Sequence, residues 1–376
     1  MLSIPLSPAF GHASGTLDEL GEGNAMNTNP ILQNIYEQPK ELERVLDDLS
    51  GPKLAQVLEI CRVAHLAGEI VLTSMGSALY SLMPMYEAML DARMRNVRLV
   101  ETAELIHHPE RLSRNALYFM MSRSGESREV ADFSRWLREH RFTSACVTMT
   151  PDSTMATNCT YVLHDIASYD KIVCIKAYSS MALCGLYIVS MMNRDTPDKS
   201  LVASLKNAFS WMEDNKESLL GAMEGVGCLP QADSFYLLSR GWGINMMRSA
   251  SLWLEETAKV PTNVMSIDNF YHGPMELVRA QGIAKSKTVP VLLDAIPDSR
   301  SKMIWGYVND ATQDTLYFGS DPTSKAGYRF TFPDLGLPAH WMMLVQAMYF
   351  QLLSYQTAIA NGIEPGMFFE DGWVVR

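Results

Sequence analysis

The chain has 376 residues, of which 47% are apolar and 19% charged, and its 31 Lys and Arg against 42 Asp and Glu give a net charge of -11. This composition is typical of a globular protein with two or three domains, and it excludes a disordered or fibrous chain. The acidic balance and the lack of a basic run argue against nucleic acid or an anionic membrane as the main partner.

Neither targeting nor membrane insertion is predicted. Residues 1–29 are rich in Gly, Ser, Asn and Pro and are expected to form a mobile extension, with an ordered arm against a partner subunit as the alternative. No basic residue precedes the weak apolar segment near the start, and the longest apolar stretch, 179–192, is too short to cross a bilayer. The six cysteines form no CxxC pair, which predicts buried free thiols in a reducing, cytoplasmic setting.

Strands alternate with helices through the first half of the chain. Helices are predicted at 31–49, 78–94 and 128–140, and strands at 69–73, 96–100, 115–121 and 144–148. This alternation indicates βαβ units and a parallel sheet with helices on both faces.

The second half repeats the plan of the first. Helices are predicted at 204–223, 244–259 and 340–361, and strands at 234–238 and 289–293. A strand, a Ser/Gly turn and a helix near residue 70 recur near residue 235, which predicts two copies of one α/β unit.

The segment 122–127, Ser-Arg-Ser-Gly-Glu-Ser, lies between a predicted strand and a predicted helix and is called the serine loop below. A helix N-terminus attracts anions, hydroxyls add donors, and Gly125 allows close approach of a ligand to the backbone. Arg123 adds a positive charge on an acidic chain. A phosphate site and an ordinary helix N-cap are both compatible with this spacing. The turn containing Ser77 is a weaker signal of the same kind.

A second candidate group is a carboxylate and an imidazole. Glu255 and Glu256 lie on a largely apolar helix, and His272 follows in a loop punctuated by Gly and Pro. Such a pair suits proton transfer between adjacent carbons, with one group as base and the other as acid. From spacing alone, a surface glutamate and a loop histidine bonded to a backbone carbonyl remain the simpler alternative.

Four motifs in this order resemble the double sugar-isomerase (SIS) domain family over residues ~45–365. They are Met-Gly-Ser at 75–77, the serine loop, Lys-Ala-Tyr-Ser-Ser at 176–180, and Leu-Trp-Leu-Glu-Glu at 252–256, with His-Gly-Pro beginning sixteen residues after the last Glu. The family includes fructosamine-6-phosphate deglycases and the isomerase half of glutamine–fructose-6-phosphate aminotransferase. The resemblance implies two tandem flavodoxin-like units, each a five-stranded parallel sheet with helices on both faces.

The resemblance also assigns roles by position. It implies that Glu256 is the base and that His272, which in family dimers can come from the neighbouring subunit, assists it. The residues implied to bind the sugar phosphate are Ser77, Ser122, Arg123, Ser124, Ser127 and Lys176. For Lys176 a structural ion pair is the favoured alternative, and a helix-start role is favoured for Glu276. No cofactor and no metal are implied, and a homodimer or larger assembly with shared active sites is expected.

This chain departs from the family pattern at several positions, and these departures narrow the range of expected activities. The chain has no glutaminase domain, carries Trp253 where the aminotransferase has a lysine, and lacks that enzyme's C-terminal lysine tail, so glutamine-dependent transfer is not expected. Asp268 and Asn269 replace a usual Gly-Glu pair, which leaves the sugar contacts of that loop open. The segment 270–276, Phe-Tyr-His-Gly-Pro-Met-Glu, is closer to the deglycase form.

The sequence therefore predicts an N-terminal extension and leading helix (residues 1–45), a first SIS unit (46–203) and a second unit with a C-terminal tail (204–376). The expected activity is a deglycase that splits a 6-phosphorylated ketosamine into hexose 6-phosphate and an amine. A phosphosugar isomerase or amino-sugar-phosphate deaminase is the alternative. A non-catalytic sugar-phosphate sensor is less favoured, because no basic DNA-binding domain precedes the first unit.

Overall fold

The computed structural model of the chain describes residues 29–94, 96–170, 172–230, 232–284 and 286–368. Apart from Asn29, the predicted N-terminal extension lies outside the described residues, as does the end of the C-terminal tail. Asn29 caps the first helix by accepting a hydrogen bond from Ile31 N (2.9 Å).

The first unit is a run of strands and helices that begins after two leading helices. Its helices are α1 (Pro30–Ser50), α2 (Leu54–Leu66), α3 (Gly76–Ser81), α4 (Met83–Asp91), α5 (Thr102–His107), α6 (Arg128–Glu139), α7 (Thr154–Asn158) and α8 (Lys176–Met191). Its strands are β1 (Glu69–Ser74), β2 (Val97–Glu101), β3 (Ala116–Ser122), β4 (Thr143–Thr148) and β5 (Tyr161–His164).

The second unit follows a long helix. Its helices are α9 (Lys199–Glu224), α10 (Gly243–Trp253), α11 (Ile267–Tyr271), α12 (Met275–Arg279), α13 (Gln281–Ala284), α14 (Ser299–Ala311) and α15 (Ala339–Ala360), and a π-helical turn, Leu254–Ala258, continues α10. Its strands are β6 (Ser234–Ser239), β7 (Thr262–Ser266), β8 (Thr288–Leu293), β9 (Leu316–Gly319) and β10 (Tyr328–Thr331).

The two sheets have the same topology. The strand order is β2-β1-β3-β4-β5 in the first and β7-β6-β8-β9-β10 in the second, and all neighbouring strands are parallel. This is the doubly wound order in which ligands bind beyond the carboxyl ends of the strands, where the strand order reverses. The prediction of two tandem α/β units, each with a five-stranded parallel sheet, is confirmed.

One layer of helices is shared between the units. α8 and α15 are buried along nearly their whole lengths, and α1 packs against α8, α9 and α15. Within this layer the Gln38 amide donates to Gln351 Oε1 (2.7 Å), and the Ser179 hydroxyl donates to Gln38. Because these amides are buried, their mutual hydrogen bonds avoid the cost of unsatisfied polar groups and fix the register of the helices. The predicted boundary between residues 203 and 204 lies within α9.

Two helices and four strands differ from the sequence predictions. The helix predicted over 78–94 is divided into α3 and α4 at Leu82, because Pro84 in the first turn of α4 lacks a backbone N–H. The helix predicted over 244–259 changes to π-helical hydrogen bonding after Trp253. Lys259 then ends it in the left-handed conformation (φ 57°). Strands β5, β7, β9 and β10 were not individually predicted, because segments of four or five residues give little periodicity.

Candidate active site

The serine loop joins the carboxyl end of β3 to the N-terminus of α6. Gly125 has a left-handed backbone (φ +64°), and its N–H donates to Ser122 Oγ (3.0 Å). The Ser124 hydroxyl accepts from Glu126 N (3.2 Å). Ser127 is the N-cap residue of α6, and its side chain makes no capping hydrogen bond in the described chain. A helix start with uncapped N–H groups and nearby hydroxyls is suited to an anion such as phosphate.

The segment after β4 holds the serine loop from one side. Met155 N donates to Gly125 O (3.1 Å), and a Cβ placed on Gly125 would lie 2.1 Å from Ser153 Oγ. The Glu126 carboxylate accepts from both Thr154 N (2.6 Å) and Thr154 Oγ1 (2.9 Å). Only glycine fits at position 125, and Glu126 is used to anchor the loop.

Ser77 lies in the first turn of α3, after β1, which is the neighbour of β3 in the sheet. Its hydroxyl lies close enough to the Cys174 thiol, just before α8, to oppose part of the increase in the pKa of that thiol. Burial raises the pKa of Cys174 to about 11, so the thiol is neutral at physiological pH. The turn with Ser77 and the segment before α8 thus meet beyond the carboxyl ends of β1 and β3.

Arg123 projects from the serine loop toward the same segment. Its Nη1 donates to the carbonyl oxygens of Asp170 (2.6 Å) and Ile172 (3.0 Å), and its guanidinium carbon lies 5.0 Å from the ring centroid of Tyr169. Asp170 is fully buried, and its Oδ2 accepts from the backbone N–H groups of Ile175 (3.0 Å) and Ala177 (2.8 Å). The N-terminus of α8 is therefore capped by Asp170, and burial raises the pKa of that carboxyl to about 6.

Glu256 lies in the π-helical turn that continues α10, a local geometry that is frequent at functional sites. Burial raises the pKa of its carboxyl to about 7, the nearby Glu255 charge raises it further, and the Arg123 and Lys259 charges oppose this increase. A carboxyl with a pKa near 7 can both accept and return a proton at neutral pH. The structure thus brings Glu256 of the second unit to Arg123 of the first.

Trp253 and Cys174 form the direct contact between the units at this site. Trp253 is 1% exposed, and its indole Nε1 donates to the Cys174 carbonyl oxygen (3.1 Å). The indole also packs edge-on against Tyr178, with ring centroids 4.8 Å apart, and the Tyr178 hydroxyl accepts from Ser249 Oγ (3.1 Å). Trp253 therefore fixes the segment that carries Cys174.

The amine of Lys176, a predicted phosphate-site residue, forms an ion pair with Glu37 of α1. The side chain is 4% exposed, and Nζ contacts Glu37 Oε2 (2.6 Å) and Ser168 Oγ (2.7 Å). This is the structural ion pair that the sequence analysis favoured for this residue.

His272 and Glu276 lie on the surface of the second unit. His272 follows α11 and is exposed, and it is not among the charged neighbours of Glu256. Glu276, in the first turn of α12, pairs with Arg279 (2.7 Å). The described chain therefore places Glu256 near Arg123 of the serine loop, and Ser77 near Cys174. No side-chain hydrogen bond or ion pair in the described residues joins His272 to these groups.

In the second unit, the residues that follow strands β6, β7 and β8 form an ion network. Asp268 binds both Arg240 (2.8 Å to each carboxylate oxygen) and Arg300 (2.8 Å), and Arg240 also contacts Asp298. These arginines lower the pKa of Asp268 to about 2. Asp268 is therefore part of a structural ion network.

Sequence reasoning did not single out Asp170 or Lys259. No sequence pattern marks Asp170, because its role depends on the chain folding back so that this carboxylate caps the N-terminus of α8. Lys259 has a signal in hindsight, since it lies three residues after Glu256 at the end of the same helix. The Lys259 amine donates to the Glu256 backbone carbonyl, and it lies 4.5 Å from the ring centroid of Phe368.

Within the described part of the chain, no group of three or more His, Cys, Asp or Glu is placed to hold a metal ion. All six cysteines are free thiols. None of the described helices is long and apolar enough to span a bilayer.

Comparisons with known proteins identify the fold. The sequence matches no protein-family model and, at a significant level, no curated protein. The C-terminal domain of glucosamine-fructose-6-phosphate aminotransferase from Francisella tularensis superposes with a TM-score of 0.73 at 15% identity, covering 92% of this chain and 99% of that one. Tagatose-6-phosphate ketose/aldose isomerase from Escherichia coli gives 0.74 at 16% identity, covering 92% and 96%. Glucosamine-6-phosphate deaminase from Thermotoga maritima gives 0.71 at 16%, covering 90% and 96%.

These likenesses extend over nearly the whole of each chain, so both units and their arrangement are shared. At such low identities they show a common fold, which is that of SIS-domain proteins with two tandem units.

Proposed function

We propose that the chain is an enzyme acting on a 6-phosphorylated sugar, and specifically a deglycase of 6-phosphorylated ketosamines. The observation that carries this proposal is the Glu256 carboxyl, which is half-buried, has its pKa raised to about 7 mainly by that burial, and lies near Arg123 of the serine loop. A substrate whose phosphate binds at the serine loop would present its first carbons to this carboxyl. The binding energy of the phosphate, remote from the reacting carbons, then serves to orient them.

In the proposed reaction, Glu256 removes a proton from C1 of the ketosamine while the C2 carbonyl oxygen gains a proton, which gives an enaminol. C2 is then protonated and the nitrogen loses its proton, so that the double bond moves to C1 and nitrogen as an imine. Water adds to C1 and the C–N bond breaks, releasing hexose 6-phosphate and the amine. Burial supports the role of Glu256, because it leaves the carboxyl half ionised near neutral pH.

His272 is proposed to assist proton transfer at the oxygen or at C2 from a second copy of the chain. The imidazole is exposed, and its neighbour Tyr271 stacks on Tyr307 with ring centroids 5.8 Å apart on the same surface. Tyr271 and Tyr307 are 38% and 41% exposed. Exposed tyrosines are common at protein interfaces. We therefore propose a homodimer or larger assembly whose active sites are completed by the neighbouring copy.

The alternative activities are a ketose–aldose isomerase and an amino-sugar-phosphate deaminase. The names of the Escherichia coli and Thermotoga maritima proteins favour them, since those proteins share the fold over nearly their full lengths. Both reactions need the same proton transfer between C1 and C2, so Glu256 would have the same role. The identity of the group on C1 or C2 distinguishes them from the deglycase.

The test is a panel of 6-phosphofructosyl and related 6-phosphoketosyl amino acids, with released hexose 6-phosphate detected by a coupled dehydrogenase. Tagatose 6-phosphate and glucosamine 6-phosphate are included as substrates of the alternatives. Glu256→Gln is compared with Glu255→Gln, a matched control because the adjacent carboxylate is exposed and bonded to Thr262 Oγ1 (2.7 Å).

We expect release from at least one ketosamine, a loss of about 10³-fold or more in Glu256→Gln, and little change in Glu255→Gln. Turnover of only the sugar phosphates would move the assignment to an isomerase or deaminase. Full activity of Glu256→Gln would refute its role as the base. Binding of hexose phosphates without any turnover would indicate a sensor.

A further inference from the structure

Both the backbone carbonyl and the guanidinium of Arg123 are held by hydrogen bonds to other protein groups, which phosphate binding alone does not require. Its backbone carbonyl accepts from the hydroxyls of Thr148 (3.4 Å) and Thr150 (3.2 Å). Its Nη1, which carries two N–H groups, donates to the carbonyls of Asp170 and Ile172. The guanidinium is thus oriented by protein groups, and it joins the serine loop to the segment before α8.

The same guanidinium acts on Glu256 across the boundary between the units. The charged groups that act on this carboxyl are Arg123, Lys259 and Glu255, and the neutral Cys174 thiol also lies near it. α15 packs on the π-helical turn but has no Asp, Glu, Lys or Arg. Its His340 pairs with Asp91 (3.0 Å). Arg123 is therefore the one group in the described chain that touches the segment before α8 and also acts on Glu256.

We propose that Arg123 is a positioning residue that couples occupancy of the serine loop to the readiness of the base. A phosphate that binds at the serine loop holds Arg123 in place, and Arg123 in turn orders the segment with Ile172 and Cys174. The Cys174 carbonyl accepts from the indole of Trp253, which directly precedes the π-helical turn that carries Glu256. The inference deepens the proposed function, because it assumes a phosphosugar site at the serine loop. It assigns to Arg123 a role beyond the phosphate contact implied by its position in the sequence.

Two readouts that need no turnover test this role. Hydrogen exchange of the amides at 172–175 reports on the segment before α8, with and without saturating inorganic phosphate. Carbon-13 NMR of glutamate carboxyls, with Glu256→Gln for assignment, reports the titration of Glu256. The variants are Arg123→Met, Arg123→Lys, Lys259→Met and, as an exposed arginine control, Arg135→Met, and circular dichroism confirms that each is folded.

In Arg123→Met the 172–175 amides should exchange about tenfold faster, because the anchoring hydrogen bonds are lost. Glu256 should titrate at a higher pH, because an opposing positive charge is gone. Lys259→Met should raise the Glu256 pKa without changing exchange. Arg123→Lys should speed exchange but leave the titration near that of the wild type, and Arg135→Met should change neither.

Phosphate tests the coupling itself. Inorganic phosphate should slow exchange at 172–175 in the wild type but not in Arg123→Met. Equal slowing in both proteins, no slowing in the wild type, or unchanged exchange and titration in Arg123→Met would each overturn the proposal. A failed substrate panel would refute the deglycase assignment while leaving these readouts intact, so the two failures are distinguishable.

Discussion

Gly125 offers a test of the serine loop in which strain and steric overlap can be separated. Gly125 and Gly76 both have a left-handed backbone, with φ of +64° and +54°. A Cβ on Gly125 would lie 2.1 Å from Ser153 Oγ and 2.5 Å from Ser153 Cβ, whereas a Cβ on Gly76 would meet nothing within 4 Å. The two positions therefore differ in space but not in backbone conformation.

The expected costs follow from these contacts. A non-glycine residue in the left-handed region costs about 1–2 kcal/mol, so Gly76→Ala should lower the free energy of unfolding by that amount. Overpacking adds about 1–3 kcal/mol, so Gly125→Ala should lose about 2–5 kcal/mol in total. Alternatively, the serine loop could shift to accommodate Gly125→Ala. The variant would then keep its free energy of unfolding but bind phosphate more weakly.

The assay is denaturant unfolding of both variants, together with calorimetric binding of fructose 6-phosphate. The double variant Gly125→Ala, Ser153→Gly removes both overlapping atoms and should recover part of the loss. If Gly125→Ala is no less stable than Gly76→Ala and binds the ligand equally well, the serine loop does not pack on Ser153 as described.

Two further predictions concern Glu256 and the ion pair of Lys176. The pKa of Glu256 is about 7 in the folded protein and near 4.5 in the unfolded chain, so the folded state binds this proton more tightly. The contribution of Glu256 to the free energy of unfolding therefore becomes more favourable as pH falls from 8 to 5. Glu256→Gln should remove a pH-dependent part of the unfolding free energy of the order of 2 kcal/mol, allowing for partial solvent access, and parallel stability–pH curves would contradict the assignment. Glu37→Gln, which leaves the Lys176 amine with Ser168 alone, should cost about 1–3 kcal/mol in denaturant unfolding, and Lys176→Met should cost less because it removes the buried charge as well.

The sequence was sufficient for the architecture because the repeated strand–turn–helix pattern is local. The long elements, such as α1, α6, α9 and α15, have strong periodicity or apolar runs and were predicted within a few residues of their bounds. The short strands β5, β7, β9 and β10 form because neighbouring strands supply their hydrogen bonds, which no local pattern records.

The candidate site was only partly predictable for the same reason. The serine loop and Glu256 were identified as separate motifs. Their proximity depends on how α10 packs against α3 and α4 and contacts Tyr178 of α8. The contacts of Arg123 with Asp170 and Ile172, and of Trp253 with Cys174, join segments that are distant in sequence. The placement of His272 in a neighbouring site stays a prediction.

The internal repeat explains why the proposed site draws on both units unequally. The two sheets have the same strand order, and in each a serine at the end of the first strand, Ser74 or Ser239, donates to a carbonyl at the end of the third. In the first unit the third strand leads into the serine loop, whereas in the second it leads into residues 294–299, which include Asp294 and Asp298. Two carboxylates there repel a phosphate, and Arg240 already pairs with Asp298. In the second unit ion pairs occupy the position that the serine loop has in the first. Its helix α10 packs against α3 and α4 of the first unit, and the turn that continues α10 carries the proposed base, Glu256.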